Sequence, residues 1–365
     1  MRDVLVIGGG IVGTAIAERL ARDGLSVVLA ERGEIGRESS WAAAGLLTPV
    51  HPWNYPESLL ALDAESLALW PDLAARVRAD VGIDLELRAT GLVMPLETDA
   101  DIAEAERRVT WKRKHGESAE LLDAASAREA EPTLADDVCG ALLLPDLAQV
   151  RNHRAAPGLA AVAARCGAEI LDGTTVLGLI HQGGRVAGAR TTAGDLLARQ
   201  TVLAAGAWSG ALLGDGVPPA IRTTPARGQI LLLRTRPGEL RHMVLGGDGA
   251  YLVPRPDGRV LAGSTVEYVG FDRHVTPEGI GKVAAAVGRL TPSLATAQVE
   301  SSWAGLRPDT PDHMPVLGHV EPGLIAATGH FRSGIMLAPV TAEIVRELVR
   351  GETSRDLAPF DPRRS

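Results

Sequence analysis

The amino terminus sets the strongest limit on the fold. Val4-Leu5-Val6-Ile7 is a short apolar run with strand character, and it enters Gly8-Gly9-Gly10-Ile11-Val12-Gly13 without a break. In such a turn Gly8 permits the tight bend, Gly10 lets the backbone approach a pyrophosphate, and Gly13 lets helix and strand pack closely. Ala15, Ile16, Leu20 and Ala21 then recur at helical spacing, with Gly24 where a helix stop belongs. Ser26-Val27-Val28-Leu29-Ala30 reads as a second buried strand, and Glu31 stands at its end. A carboxylate there accepts from a ribose diol and repels a 2′-phosphate. A helix N-terminus offers N–H groups and partial positive charge to phosphates, so the unit predicts a dinucleotide site.

A chain of 365 residues that is 45 % hydrophobic has enough material for two cores. Its net charge of -8 argues against broad binding to nucleic acid or an anionic membrane, without excluding a local basic pocket. Cys139 and Cys166 form no CxxC or metal spacing and are expected to be ordinary buried thiols in a reduced compartment. The nine histidines show no HxH or HExxH spacing, so no metal is expected. No leader and no spanning segment are read, which predicts a cytoplasmic protein.

Helices are expected over 57–80, 99–115, 155–166, 277–289 and 338–349. Strands are expected at 91–95, 169–171, 201–205, 229–233, 250–253, 260–262 and 324–327. Gly183-Gly184 would turn a hairpin between 176–180 and 185–189. After Trp303, the prolines Pro308, Pro311 and Pro315 read as a loop. Parallel strand–helix–strand units mixed with hairpins predict an α/β (α+β mixed) fold. Its nucleotide part would be assembled from separated stretches around an inserted antiparallel sheet.

After the second strand the sequence turns to Gly36-Arg37-Glu38-Ser39-Ser40-Trp41-Ala42-Ala43-Ala44-Gly45-Leu46. Small residues suit a backbone lying against a long flat ligand, and Ser39 and Ser40 are expected to be free for phosphate or ribityl oxygens. A small-residue helix start used for close packing is the alternative. Near the other end, Gly329-His330-Phe331-Arg332-Ser333-Gly334 places a cation in a glycine-flanked loop. An Arg fork matches both oxygens of a carboxylate, and a charged hydrogen bond of this kind is worth roughly 1.5–3 kcal/mol. Arg332 is the first candidate to hold an anionic substrate, and Arg307, before Pro308, is the second.

Several motifs together resemble the D-amino-acid-oxidase-like flavoproteins, and most closely the bacterial glycine oxidases of thiamine biosynthesis. These are the glycine turn at 8–13, GRESSWAAAG at 36–45, VLAAGAWSG at 202–210, YLVPR at 251–255, WAGLRPDTPDHMPVLG at 303–318 and GHFRSGIMLAP at 329–339. The resemblance covers nearly the whole chain. It implies non-covalent FAD and a glutathione-reductase-like Rossmann domain over 1–80, 146–216 and 300–365. The substrate-binding domain would take 81–145 and 217–299. Ile11 and Val12 would lie beside the pyrophosphate, Glu31 and Arg32 at the adenosine ribose, and Val176 at the adenine. Ser39, Ser40, Ala44, Gly45 and Leu46 would line the middle of the cofactor. His330, Phe331, Ser333, Gly334, Ile335 and Met336 would wrap the ring end. Tyr251, Arg307 and Arg332 would hold the substrate carboxylate.

The partners implied are a small amino acid and O2, with a homotetramer suggested by the resemblance. The chemistry implied is hydride transfer from the neutral amine to flavin N5, then reoxidation to hydrogen peroxide and imine hydrolysis. Glycine, sarcosine, D-amino acids and L-proline all remain open as substrates. A same-fold dehydrogenase passing electrons to a quinone or carrier is one alternative, and a non-catalytic flavin subunit another. Val266 is expected in the substrate pocket, His313 is expected to pair with Asp312, and the loop 51–56 reads as either a lid or a packed surface loop.

Overall fold

Val4, Leu5 and Val6 are wholly buried because their strand is central in its sheet. In a computed structural model describing residues 1–48, 52–213, 218–353 and 355–364, the strand Arg2–Ile7 runs parallel to Val27–Ala30 on one side and Gly194–Leu203 on the other. Val6 stands opposite Leu29 and Val202. Glu169–Leu171 extends this sheet in parallel beyond Val27–Ala30, and Leu324–Thr328 pairs in parallel with Gly194–Leu203. The expected hairpin closes antiparallel between Val176–Gln182 and Arg185–Thr191.

One face of the sheet takes the apolar stripes of three helices, Ile11–Arg22, Asn152–Arg165 and Ala338–Arg350. Ile16, Leu20, Leu159, Val162, Ile344 and Val345 form a common core with Val4, Val6 and Leu29. The alternate residues Leu5, Ile7 and Val28 face the other way, onto Val186, Ala189 and Ile221. This strict inward and outward alternation of one strand, with both faces covered, is why the opening run is continuously apolar.

The second eight-stranded sheet is largely antiparallel and contains Leu92–Leu96, Gly140–Leu144, Thr224–Arg234, Tyr251–Pro254, Arg259–Gly263 and Gln298–Asp309. The last of these corrects an expectation. The expected loop after Trp303 is strand as far as Asp309, paired with Thr224–Arg234. Pro308 faces Pro225 in this register. Alternate residues of an antiparallel pair point their N–H away from the partner strand, so two facing prolines remove nothing from the ladder. The strand Val316–Glu321 begins only after Pro315.

Two smaller expectations also fail. Cys139 is exposed, with its thiol donating to the Glu97 carbonyl (3.3 Å), and Cys166 is only partly buried. His313 pairs through Nδ1 with Asp309 (2.6 Å), whereas Asp312 is held by Arg364 (2.7 Å). Of the proposed lid, His51 lies outside the described residues. Trp53 is half-buried under the Arg108 guanidinium, 4.0 Å from its ring centre, which favours a packed loop at that point. Among the described residues, no helix is long and apolar enough to cross a membrane, and no cluster of ligating side chains could hold a metal.

Candidate active site

A cleft of about 400 Å³ takes its lining from both eight-stranded sheets. At one end it is lined by Gly8, Gly10, Ile11 and Val12 with Glu31, Arg32 and Val176, and at the other by Tyr251, Arg307 and Arg332.

The nucleotide end is built by the glycine turn. Gly8 has φ +110°, and a Cβ there would stand 2.4 Å from the Ala204 carbonyl oxygen. At Gly13 a Cβ would meet the Gly8 carbonyl oxygen at 1.9 Å, so this residue packs behind the turn rather than lining the cleft. Glu31 does more than await a diol. Its Oε2 accepts the Gly9 N–H (2.7 Å) and its Oε1 accepts the Gly33 N–H (2.9 Å), so the carboxylate staples the turn while keeping lone pairs for a ligand. Arg32 lies 3.7 Å over the Trp208 ring and pairs with Glu38 (2.7 Å). Thr174 and Thr175 stand beside Val176 in the wall.

Along the middle, Ser39, Ser40, Ala44, Gly45 and Leu46 all line the cleft. Each hydroxyl makes one protein contact, which leaves Ser40 its O–H donor and Ser39 its oxygen lone pairs. Ser40 Oγ accepts the Ile11 N–H (2.8 Å) and fixes the first helix to this segment, and Ser39 Oγ donates to the Leu306 carbonyl.

At the far end, Tyr251 opens its strand, nearly buried, with its hydroxyl bonded to the Arg307 guanidinium. Arg307 also donates to Ser264 Oγ (2.5 Å) and to the Thr265 carbonyl (3.2 Å). Burial pushes its pKa down, the Tyr251 hydroxyl opposes this, and the like charge of Arg332 adds to the lowering. Among the described residues neither Arg307 nor Arg332 has a carboxylate partner, whereas Arg32, Arg151 and Arg227 all do. Two guanidinium groups facing one cleft without an anion leave a position for a ligand carboxylate.

The loop after Leu324–Thr328 brings His330, Phe331, Gly334 and Ile335 to the cleft with Arg332, but not Ser333 or Met336. Met336 is buried in the core, where its carbonyl accepts from Ser66 Oγ (2.6 Å) and Trp70 Nε1 (3.0 Å). Ser333 is buried, and its N–H donates to the His330 carbonyl (2.8 Å). His330 meets Thr341 Oγ1 through Nε2 (3.0 Å), and burial holds its pKa down at about 4, so it is neutral in the physiological range. Val266 is 40 % exposed and does not line the cleft, so it sets no pocket size here.

One feature escaped sequence reasoning. Tyr268 donates to Asp309 Oδ2 (2.6 Å) close to both arginines, and it belongs to no periodic or glycine-marked motif, so the sequence carried no local signal for it. Tyr55, in the loop read as a lid or a packed surface loop, lies within the field of Arg332.

The donors fit FAD. A glycine cradle at a helix N-terminus suits a pyrophosphate, Glu31 and Val176 line the same end of the cleft where an adenosine would fit, and the small-residue wall from Ala42 to Leu46 suits a flat ring beside the two arginines. Comparison with known proteins agrees. Residues 3–348 match the DAO family, described as FAD dependent oxidoreductase. The glycine oxidase of Pseudomonas putida is 36 % identical over 365 residues, which cover 99 % of this chain and 98 % of that protein. The crystal structure of glycine oxidase from Geobacillus kaustophilus superposes with a TM-score of 0.93 at 35 % identity, covering 100 % of this chain and 99 % of the other. That of L-proline dehydrogenase from P. horikoshii gives 0.89 at 25 % identity, covering 99 % and 97 %. The chain belongs to the DAO family of FAD-dependent oxidoreductases.

Proposed function

We propose that this FAD-dependent amino-acid oxidoreductase oxidises glycine and other small amines or D-amino acids to their imines, with O2 as electron acceptor. Hydrolysis of the imine then gives an oxo acid and ammonia. FAD held by the glycine turn, Glu31 and the small-residue wall would supply a two-electron sink for the hydride of the substrate carbon, with O2 as the final acceptor and hydrogen peroxide as its product.

The chain's own residues bind, orient and exclude water. Arg332 and Arg307 would clamp the two carboxylate oxygens, with the Tyr251 hydroxyl as a further donor, so that the substrate carbon turns toward the ring. The observation that carries this reading is the pair of cleft arginines with no carboxylate partner among the described residues. His330, the histidine that lines this end, is buried and bonded to Thr341, and Asp309 is engaged by Tyr268 and His313, so none of these is offered as a general base. The substrate therefore has to arrive with a neutral amine, and kcat/KM should rise with pH toward the amine pKa.

We place the protein in the cytoplasm, as a homo-oligomer supplying the thiazole branch of thiamine synthesis. The two sheets would form its FAD-binding and substrate-binding domains. The test is oxygen uptake with peroxide and ammonia assays on glycine, sarcosine, D-alanine and L-proline. Peroxide formed in step with glycine consumed supports an oxidase. Substrate-reduced flavin that air does not reoxidise would contradict it and point to a dehydrogenase feeding a carrier.

A further inference from the structure

Four residues beyond Tyr251, at the end of the same strand, the side chain of Arg255 is buried at 6 % exposure. Its Nη1 donates to Gln149 Oε1 (2.6 Å) and the Val150 carbonyl (2.9 Å), and its Nη2 to the Ala44 carbonyl (2.8 Å) and Asn152 Oδ1 (3.3 Å). All four acceptors are neutral. Burial brings its pKa down to about 10, with Arg151 adding like-charge repulsion and Glu86 and Asp257 opposing it, so the group stays charged at neutral pH. Buried charges are ordinarily cancelled by a partner. Here the donors are satisfied by neutral groups alone, and the carboxylates that offset the charge from further away, Glu86 and Asp257, are themselves paired with Arg151.

The Ala44 carbonyl and the Gly45 N–H belong to one planar trans peptide and point in opposite directions. Arg255 takes the carbonyl from the protein side. The Gly45 N–H has no partner among the described residues, and Ala44 and Gly45 line the cleft. The neighbouring carbonyls are turned inward as well. Those of Ser40 and Trp41 accept from Asn152 Nδ2 (2.8 and 2.9 Å), that of Ala42 from Trp303 Nε1 (3.0 Å), and that of Gly45 from the Val150 N–H (2.8 Å). Ala44 packs in the same apolar cluster as Tyr251, so this peptide, in the middle of the cleft, borders the substrate end where the redox ring would lie.

We infer that Arg255 is a positioning residue for the flavin: through the Ala44 carbonyl it aims and strengthens the Gly45 N–H toward the ring, and its uncancelled charge favours the reduced cofactor. Donation to a carbonyl polarises the peptide and makes its N–H a better donor. Two-electron reduction adds negative charge at the ring, which a nearby cation stabilises. The inference rests on FAD occupying the cleft and adds a residue that touches neither substrate nor cofactor.

The test compares Arg255→Met, Arg255→Lys and Gln149→Glu in the FAD-loaded protein. The readouts are the midpoint potential of bound flavin, by dye-equilibrated reductive titration, and the FAD dissociation constant. Gln149→Glu is the cleanest probe, because it sets a carboxylate on Nη1 while the donation to Ala44 persists. Arg255→Met and Gln149→Glu are expected to shift the reduction equilibrium toward oxidised flavin about tenfold, or about 30 mV for a two-electron couple. Arg255→Lys should shift it less. Should Arg255→Met fail to fold, the other two variants carry the test. A flavin-loaded Gln149→Glu protein with the wild-type potential overturns the proposal. Folded Gln149→Glu and Arg255→Lys proteins that hold no flavin also overturn it, since Arg255 would then be scaffold alone. Failure of the wild-type protein to bind FAD would instead overturn the cofactor assignment beneath it.

Discussion

Arg307 and Arg332 line one cleft, where burial and then the like charge of Arg332 raise the cost of charging Arg307 while the Tyr251 hydroxyl beside it lowers that cost. Such a pair is stable when a dianionic or bidentate ligand completes it. Replacing Arg332 with Ala should lower kcat/KM for glycine by roughly 10–150-fold, the equivalent of a charged hydrogen bond of about 1.5–3 kcal/mol. Arg332→Lys should recover only part of this, because an ammonium lacks the planar fork. Steady-state kinetics with glycine checks both, and wild-type kcat/KM in Arg332→Ala would remove Arg332 from the substrate site.

Glu31 holds two N–H groups of the nucleotide turn as well as facing the cleft. Glu31→Gln loses one of those acceptors and the negative charge. We expect the FAD dissociation constant to rise about tenfold, or about 1.4 kcal/mol, with little change in the KM for glycine. Flavin-fluorescence titration of the apoprotein measures the first quantity directly.

Asp63 is 4 % exposed in the helix Glu57–Val81, and neither of its carboxylate oxygens has a partner among the described residues. Burial pushes its pKa up to about 7, with the Lys112 charge opposing and Glu117 adding. Between its unfolded value near 4 and this value, the folded protein binds the extra proton, so stability falls as pH rises across that window. Asp63→Asn removes the ionisation. Its Tm should exceed the wild-type Tm by several degrees at about pH 8 and match it closely at about pH 4, with a stability difference on the order of 2–4 kcal/mol at the higher pH. Thermal melts at the two pH values decide this, and equal Tm values at the higher pH would show that Asp63 does not ionise at a cost.

Neither cysteine lines the cleft, and residues 303–339 contain none. The flavin should therefore stay with the supernatant after acid precipitation. A yellow protein pellet would show a covalent bond that this cleft has no thiol to form.

The parallel sheet and its glycine turn were legible because each signal is local. A continuously apolar run marks a strand buried on both faces, and the spacing of three glycines marks the turn. Arg307 and Arg332 stood out because each sits in a long motif. The strand Gln298–Asp309 was hidden by Pro308, whose harmless position depends on Pro225, far away in sequence. The bonds that Ser39 and Ser40 make to Leu306 and Ile11 left no sequence signal, because those partners become neighbours only on folding. Arg255 left no signal of its own beyond YLVPR, since its acceptors at 44 and 149–152 are brought together by three separate segments.

The most direct measurement is the long-wavelength absorption of the FAD-loaded protein on anaerobic addition of glycine, wild type beside Arg332→Ala. Rapid bleaching of the flavin band in the wild type, slowed by at least about tenfold in the variant, is the expected result. A wild-type spectrum unchanged by glycine, sarcosine, D-alanine and L-proline alike would contradict the account.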